Sequence, residues 1–373
     1  MTHEIINDDV RVGLKAPFPW FGGKSRVAHL VWERFGDCRH YIEPFFGSGA
    51  VLLGRPTLPR TETVNDKDMF VANFWRAVAA APEEVAKWAD WPINEADLHA
   101  RHVWLVGQKA EFGRRMDNEP DFFDVQIAGW WAWGLSCWIG SGWCAGGREG
   151  TRPEINGVKG VHMKLPHLVG GFSNEKGVHS KRPRIMDGEH GRGVHRQCPV
   201  LTGWADKGVH AEVARQVPRL SCFVNSLPTN PALIQWMLAL QARLRRVRVC
   251  CGDWRRVCTD AVVFNEGPTA VFLDPPYGVK ADRDVKLYNQ DSLTVADDVR
   301  EWAVAHGDDL RLRIALCGYE GEHEMPPDWE CVAWKAPGGY GNQGKVKNVN
   351  AGRERIWFSP GCLSVGAGPL FDV

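Results

Sequence analysis

Four consecutive residues, Asp274-Pro275-Pro276-Tyr277, carry the most distinctive chemistry of this 373-residue chain. They follow Val271-Phe272-Leu273, an apolar run that reads as a buried strand. Each proline holds φ near about −65° and removes an amide donor. What remains is a carboxylate and carbonyls, which only accept hydrogen bonds, with an aromatic ring beside them. A planar base with an exocyclic amino group matches this arrangement. Its two amino hydrogens meet two acceptors, and its face meets Tyr277. The amine of such a base is a weak nucleophile, because its lone pair is delocalised into the ring. Accepting both hydrogens favours a pyramidal nitrogen whose localised lone pair attacks an electrophilic methyl group in line. A hydrogen bond to a charged group contributes about 1.5–3 kcal/mol, so losing Asp274 costs on the order of ten- to a hundredfold in rate. Stacking on Tyr277 contributes roughly 1–3 kcal/mol of base binding. In isolation the tetrapeptide reads equally well as a rigid turn, so context decides its meaning.

A second constellation stands far upstream. Glu43-Pro44-Phe45-Phe46-Gly47-Ser48-Gly49 reads as a strand end that passes through a Gly-rich turn into a helix. Glycines there let backbone approach a ligand closely. The turn lacks the full dinucleotide fingerprint and the phosphate-loop ending Gly-Lys-Ser/Thr, so alone it is a weak signal. Asn65-Asp66 closes the next strand, where a carboxylate binds a ribose diol with its two oxygens. Asp68 competes for that role; its other reading is a helix N-cap.

Such groups need strand ends to hold them, and the sequence supplies strands and helices in alternation. Strands are expected over residues 40–43, 62–65, 247–251, 270–273, 312–316 and 355–358. Helices are expected from Ala50, over 69–80, 233–244 and 295–305, with Phe70, Phe74 and Val78 near helical spacing. This alternation predicts an α/β fold, a mostly parallel sheet covered by helices.

Between the two halves the composition changes. Residues 95–137 read as helical and dense in Trp, and Trp130, Trp133 and Trp138 are expected in a core. From Gly146 to about Arg215 the chain is rich in Gly, His and Arg. Gly-Val-His recurs there at Gly160, Gly177, Gly193 and Gly208, spaced by 17, 16 and 15 residues. Units so poor in apolar residues build no solenoid core, so an extended loop or β-arch insertion is expected. Its Lys159, Lys164, Lys181, Arg182, Arg184, Arg192 and Arg196 either follow a DNA groove or form a solvated face. The His spacings fit no zinc pattern and no C-x-x-C pair occurs, so no metal is expected.

Composition excludes several classes. No apolar run reaches the roughly 18 residues of a membrane span. The stretch Met1 to Val10 holds Glu4, Asp8 and Asp9 and no apolar core, unlike a secretory signal. Eleven Cys, an odd count, are expected to be reduced, which implies a cytoplasmic setting. Lys+Arg number 45 and Asp+Glu 45, which excludes a protein basic over its whole surface. The charges are segregated, however. Residues 145–215 hold 12 basic against 7 acidic side chains, 243–256 hold 6 against 1, and 281–330 hold 5 against 13. A local field is what attracts DNA, so a basic DNA-facing side and an acidic outer side are expected.

The order of these motifs resembles the Dam-like class of N(6)-adenine DNA methyltransferases that use S-adenosylmethionine. The family's aromatic-x-Gly-Gly-Lys motif is matched by Trp20-Phe21-Gly22-Gly23-Lys24. Its F-x-G-x-G turn is matched by Phe45, Gly47 and Gly49, its ribose-binding acid by Asp66, and its D-P-P-Y by Asp274 to Tyr277. An acid and an aromatic that meet the cofactor's adenine are matched by Asp253-Trp254. The resemblance covers about Ala16 to Ala81 and Phe223 to Ser359. It implies a Rossmann-like methyltransferase sheet over residues 1–90 and 216–373. An inserted, largely helical and irregular target-recognition region over 91–215 would interrupt it. It implies S-adenosylmethionine as cofactor, held by Trp20, Gly22, Gly23, Lys24, Glu43, Pro44, Phe45, Gly47, Ser48, Gly49, Asp66, Asp253, Trp254 and Asp274. Catalysis would fall to Asp274, Pro275, Pro276 and Tyr277. Relatives bring a helix and a Gly-containing loop near the flipped base, which makes Ser141, Gly142 and Trp143 candidates for DNA contact, joined by Arg182 and Arg184 of the insertion.

The implied substrate is adenine flipped out of double-stranded DNA, because the amine cannot reach a pocket while stacked. The N(4) amine of cytosine is an alternative, although its enzymes use a related motif usually beginning with Ser; Asp274 favours adenine. A protein glutamine amide, associated with Asn-Pro-Pro-Tyr, is more distant. A catalytically silent DNA-binding relative is the reading from another class. A monomer is expected, in the cytoplasm of a bacterial or phage-infected cell, with a cognate restriction endonuclease as a candidate partner and no membrane partner.

Overall fold

The structure is a computed structural model that describes residues 14–20, 22–57, 60–138, 143–144, 229–276, 294–334 and 352–364. Seven strands among these residues form one sheet: β1 (His40–Glu43), β2 (Thr61–Asp66), β3 (Val247–Cys251), β4 (Thr269–Leu273), β5 (Leu312–Tyr319), β6 (Glu330–Ala333) and β7 (Glu354–Phe358). Their order is β3-β2-β1-β4-β5-β7-β6. The first five pair in parallel, and β7 runs antiparallel to both β5 and β6. This is a Rossmann-like order with a reversed strand inserted near one edge.

The central strands are buried from end to end, as a sheet covered on both faces requires. Alternation then divides their side chains between two cores. Tyr41, Ala270, Phe272, Ala315 and Cys317 pack on one face. Ile42, Val271, Leu273, Ile314 and Leu316 pack on the other, with Trp254, Val299, Ala303 and Trp329.

The described helices are α1 (Ala28–Phe35), α2 (Ala50–Leu53), α3 (Met69–Ala80), α4 (Pro82–Ala89), α5 (Glu95–Asn118), α6 (Val125–Cys137), α7 (Pro231–Leu244), α8 (Asp260–Val263) and α9 (Val295–His306), with a short 3-10 helix at Trp254–Val257. Local chemistry sets several of their ends. Asp68 caps α3 by accepting the Phe70 amide at 2.9 Å, which satisfies an otherwise orphaned donor. Asn230 caps α7 in the same way from Ala232, followed by Pro231 at the first helical position.

The helical stretch expected over 95–137 is two helices. Asp124 caps the second by accepting from Ile127, and its own amide donates to Asn73 Oδ1, which ties the break to α3. Trp131, Trp133 and Trp138 are buried, while Trp130 is half-buried. The core continues from α3 and α4 into α5 and α6. The strand expected over 312–316 extends to Tyr319, because β7 pairs with its second half. Strand β6 gave no sequence signal. Arg243 is paired with the buried Glu62 at the amino-terminal end of β2. Among the described residues no helix is long and apolar enough to cross a membrane.

Candidate active site

Strand order reverses between β1 and β4, which pair in parallel with Ile42 opposite Val271. Connections leaving two such strands go opposite ways and open a crevice at their carboxyl ends. Glu43-Pro44-Phe45-Phe46-Gly47-Ser48-Gly49 leaves β1 there, and Asp274-Pro275-Pro276 leaves β4 beside it. The two constellations thus meet at one place.

The turn after β1 is held from several sides. Asn65 Nδ2 donates to the carbonyls of Pro44 and Gly252, each at 3.0 Å. Phe46 N donates to the Asn65 carbonyl at 2.9 Å. Asp66 Oδ2 accepts the Gly47 amide at 2.8 Å, and its Oδ1 accepts the Asp68 amide at 2.8 Å. Trp75 Nε1 donates to the Gly47 carbonyl at 2.9 Å. Gly47 has φ +47°, and a Cβ there would run into the Trp20 indole, so the glycine is required twice over. Trp20 itself packs on Phe18 and Trp131, with ring centroids 5.8 and 6.2 Å away.

Electrostatics separates the acids. Burial pushes Asp66 up to about 7, helped by the charge of Asp68 and opposed by the amides it accepts. Burial holds the Glu43 carboxyl well above the usual carboxylate range, although Tyr41 OH donates to its Oε2 at 2.8 Å. Asp274 instead meets a cation. Lys24 Nζ donates to both of its oxygens at 2.8 Å and to the Gly22 carbonyl at 2.8 Å. Burial works against the Lys24 charge, but Asp274, Cys317 and Glu354 outweigh it and raise the ammonium above its ordinary range.

The remaining predicted residues divide. Pro44, Ser48 and Pro275 are buried in the crevice walls, with Phe45 and Pro276 half-buried. Gly23 closes a turn onto the Trp20 carbonyl at 3.1 Å. Asp253 is exposed and caps the short 3-10 helix after β3 by accepting from Arg255. Trp254 is buried in the core on the opposite face, 6.4 Å from the Phe45 ring. Trp143 is only 5% exposed; its Nε1 donates to the Trp131 carbonyl at 3.0 Å, which makes it a core residue. Phe21, Tyr277, Ser141, Gly142, Arg182, Arg184 and the Gly-Val-His insertion lie outside the described residues. Sequence reading missed Trp75, Trp131 and Trp334, whose ring lies 5.6 Å from Lys24 Nζ. Trp75 and Trp131 lie on ordinary helices and Trp334 just past β6, and no spacing singles them out. Among the described residues no group of three or more His, Cys, Asp or Glu is placed to hold a metal ion.

Residues 20–96 match the model of one protein family, described as D12 class N6 adenine-specific DNA methyltransferase. The match takes in the Gly-Gly-Lys segment, the Gly-rich turn and Asp66; Asp274 to Tyr277 lie beyond it. No curated protein matches the chain. This match and the Rossmann-like sheet support a likeness of the chain to the Dam-like, D12 class of adenine-specific DNA methyltransferases, which are enzymes.

Proposed function

We propose that the protein transfers a methyl group from S-adenosylmethionine to the N(6) amino group of adenine at specific sites in double-stranded DNA, after the base has been flipped out. The observation that carries this reading is the meeting of Asp274 and the Gly47 turn at the crevice between β1 and β4. A cofactor and a target base there would share one opening.

The residues present fit such a cofactor. Gly47 and Gly49 expose backbone without side chains, at φ +47° and +68°. Each oxygen of Asp66 accepts one amide and keeps a second lone pair for a ribose diol. Exposed Asp253 is the acceptor offered to the adenine moiety, with Trp254 buried behind it. When bound, S-adenosylmethionine supplies an electrophilic methyl group on a sulfonium. Asp274 and the Pro275 carbonyl accept the amino hydrogens of the target, which localises the nitrogen lone pair. Tyr277 stacks on the base.

The same reading takes residues 1–90 and 216–373 as the catalytic unit and 91–215 as the target-recognition region. Ser141, Gly142, Arg182 and Arg184 would meet DNA in that region, while Trp143 is buried. A monomer, with or without a cognate endonuclease, suffices for this chemistry. The test is expression in a host that lacks adenine methylation, followed by sequencing that detects modified bases. Methylated adenine in one sequence motif is the expected result. Unmodified DNA in the presence of folded, cofactor-binding protein would leave a silent DNA-binding relative. Methylated cytosine would move the target to its N(4) amine.

A further inference from the structure

The sheet order sets β2 between β1 and β3, and β2 pairs with both. Register carries this arrangement to the crevice. Glu43, the last residue of β1, lies opposite Val64, while Asn65 and Asp66 still pair with Cys250 and Cys251 of β3. Asn65 thus stands between the two places where the chain leaves the sheet. Its side chain is buried, with the residue 1% exposed. A primary amide has two N–H donors, and here they are divided between the two exits. One goes to the Pro44 carbonyl after β1 and the other to the Gly252 carbonyl after β3, each at 3.0 Å.

Main-chain bonds complete the junction. The Asn65 carbonyl accepts the Phe46 amide at 2.9 Å, and the Asp66 carbonyl accepts the Gly252 amide at 3.1 Å. Gly252 is therefore held through both its N–H and its carbonyl, at φ +138°, and Asp253 follows it directly. Reversing the Asn65 amide would set its oxygen against two carbonyls, so its orientation is forced. Held this way, Oδ1 is buried without a hydrogen-bond partner among the described residues. Such a group is uncommon and calls for an explanation. The two loops supply one, because only a side chain with two donors on one short stem reaches both carbonyls. A carboxylate there has no donor, and a hydroxyl has one.

We propose that Asn65 is a positioning residue that clamps the Gly-rich turn after β1 to the Gly252-Asp253 turn after β3, and so presets one surface for both ends of an S-adenosyl cofactor. It acts from beneath that surface. The groups above it, the Gly47 turn, Asp66 and Asp253, are the ones that would meet the cofactor. A cofactor arriving at a clamped site does not have to order two loops separately, and that lowers the entropy lost on binding. The link to methyl transfer rests on the reading above; the clamp itself does not.

The test pairs hydrogen exchange with cofactor binding in the full chain. In the wild type, the Asn65 side-chain amide protons, observed by NMR, should exchange with deuterated water far more slowly than those of exposed asparagines. In Asn65→Leu and Asn65→Asp, exchange measured by mass spectrometry should quicken in both segments, 44–49 and 252–254. The Kd for S-adenosylhomocysteine by calorimetry, and the KM for S-adenosylmethionine, should rise by about tenfold or more. The kcat at saturating cofactor should stay within about threefold of the wild type, as expected when only binding is affected. Rapid exchange of the wild-type side-chain amide overturns the proposal, even if neither variant folds. Loosening of only one segment overturns it too. A lowered melting temperature with unchanged Kd and KM in the folded variants also overturns it, and makes Asn65 structural only. Asn65-dependent binding of S-adenosylhomocysteine in a protein that methylates no DNA supports the clamp and overturns the methyl-transfer reading alone. A wild type that binds neither S-adenosyl compound overturns both.

Discussion

The Asp66 carboxylate buttresses the Gly-rich turn through Gly47, whose amide it accepts at 2.8 Å. Burial, followed by the charge of Asp68, pushes this carboxyl up to about 7, above the roughly 3.9 of an unfolded aspartate. The folded state therefore holds a proton that the unfolded chain loses. Asp66 contributes full stability below the unfolded value and loses it as pH rises to about 7. Asp66→Asn removes this dependence. The melting temperature of the variant relative to wild type should climb between about pH 4 and pH 7 and then level off. A difference that stays flat over that window would contradict the raised Asp66 carboxyl.

Gly47→Ala puts a Cβ at φ +47° and into the Trp20 indole. Strain of this kind costs of order 1–3 kcal/mol. Denaturant unfolding should show that loss, together with weaker cofactor binding. Gly107 is a control within α5, where a Cβ would meet nothing within 4 Å. Gly107→Ala should stabilise by roughly 0.5–1 kcal/mol, through reduced freedom of the unfolded chain and better helix propensity.

Asp274→Ala should lower the single-turnover methylation rate by at least on the order of ten- to a hundredfold, with DNA affinity retained. Tyr277→Phe should keep much of the activity and Tyr277→Ala little, because the ring face rather than the hydroxyl is the binding element. Equal losses in both tyrosine variants would exclude stacking as its role.

Glu62 separates stability from function. It is fully buried in β2 and bonded to Arg243 and Arg55, far from the carboxyl ends of the strands. Breaking such a pair from one side costs about 3–5 kcal/mol, because buried charge is left uncompensated. Glu62→Gln should therefore unfold at markedly lower denaturant while its cofactor affinity, measured where it is folded, stays at the wild-type value. Lost affinity in the folded variant would show that the two ends of the sheet are coupled.

Much of this organisation is legible in the residues. Apolar runs such as Val271-Phe272-Leu273 announce strands, because a strand buried on both faces must be apolar throughout. Asp68 reads correctly as a cap, since its hydrogen bond is local. The break near residues 119–124 is not legible, because it depends on Asn73 of another helix meeting Asp124. Strand β6 is short and mostly exposed, so no burial pattern marks it.

The sequence by itself determined which chemical groups stand at which strand ends: Asp274 after β4, the glycines after β1 and Asp66 as the last residue of β2. Those assignments follow from local periodicity and turn chemistry, which act over a few residues. Only the tertiary structure decided what surrounds each group. It joined Lys24 to Asp274, turned Trp254 to the far face, drew Trp143 into the core and raised Asp66. Burial and charge act through space, over distances that chain order does not encode. The ionisation and orientation of a site residue are therefore set by neighbours that the sequence leaves unnamed.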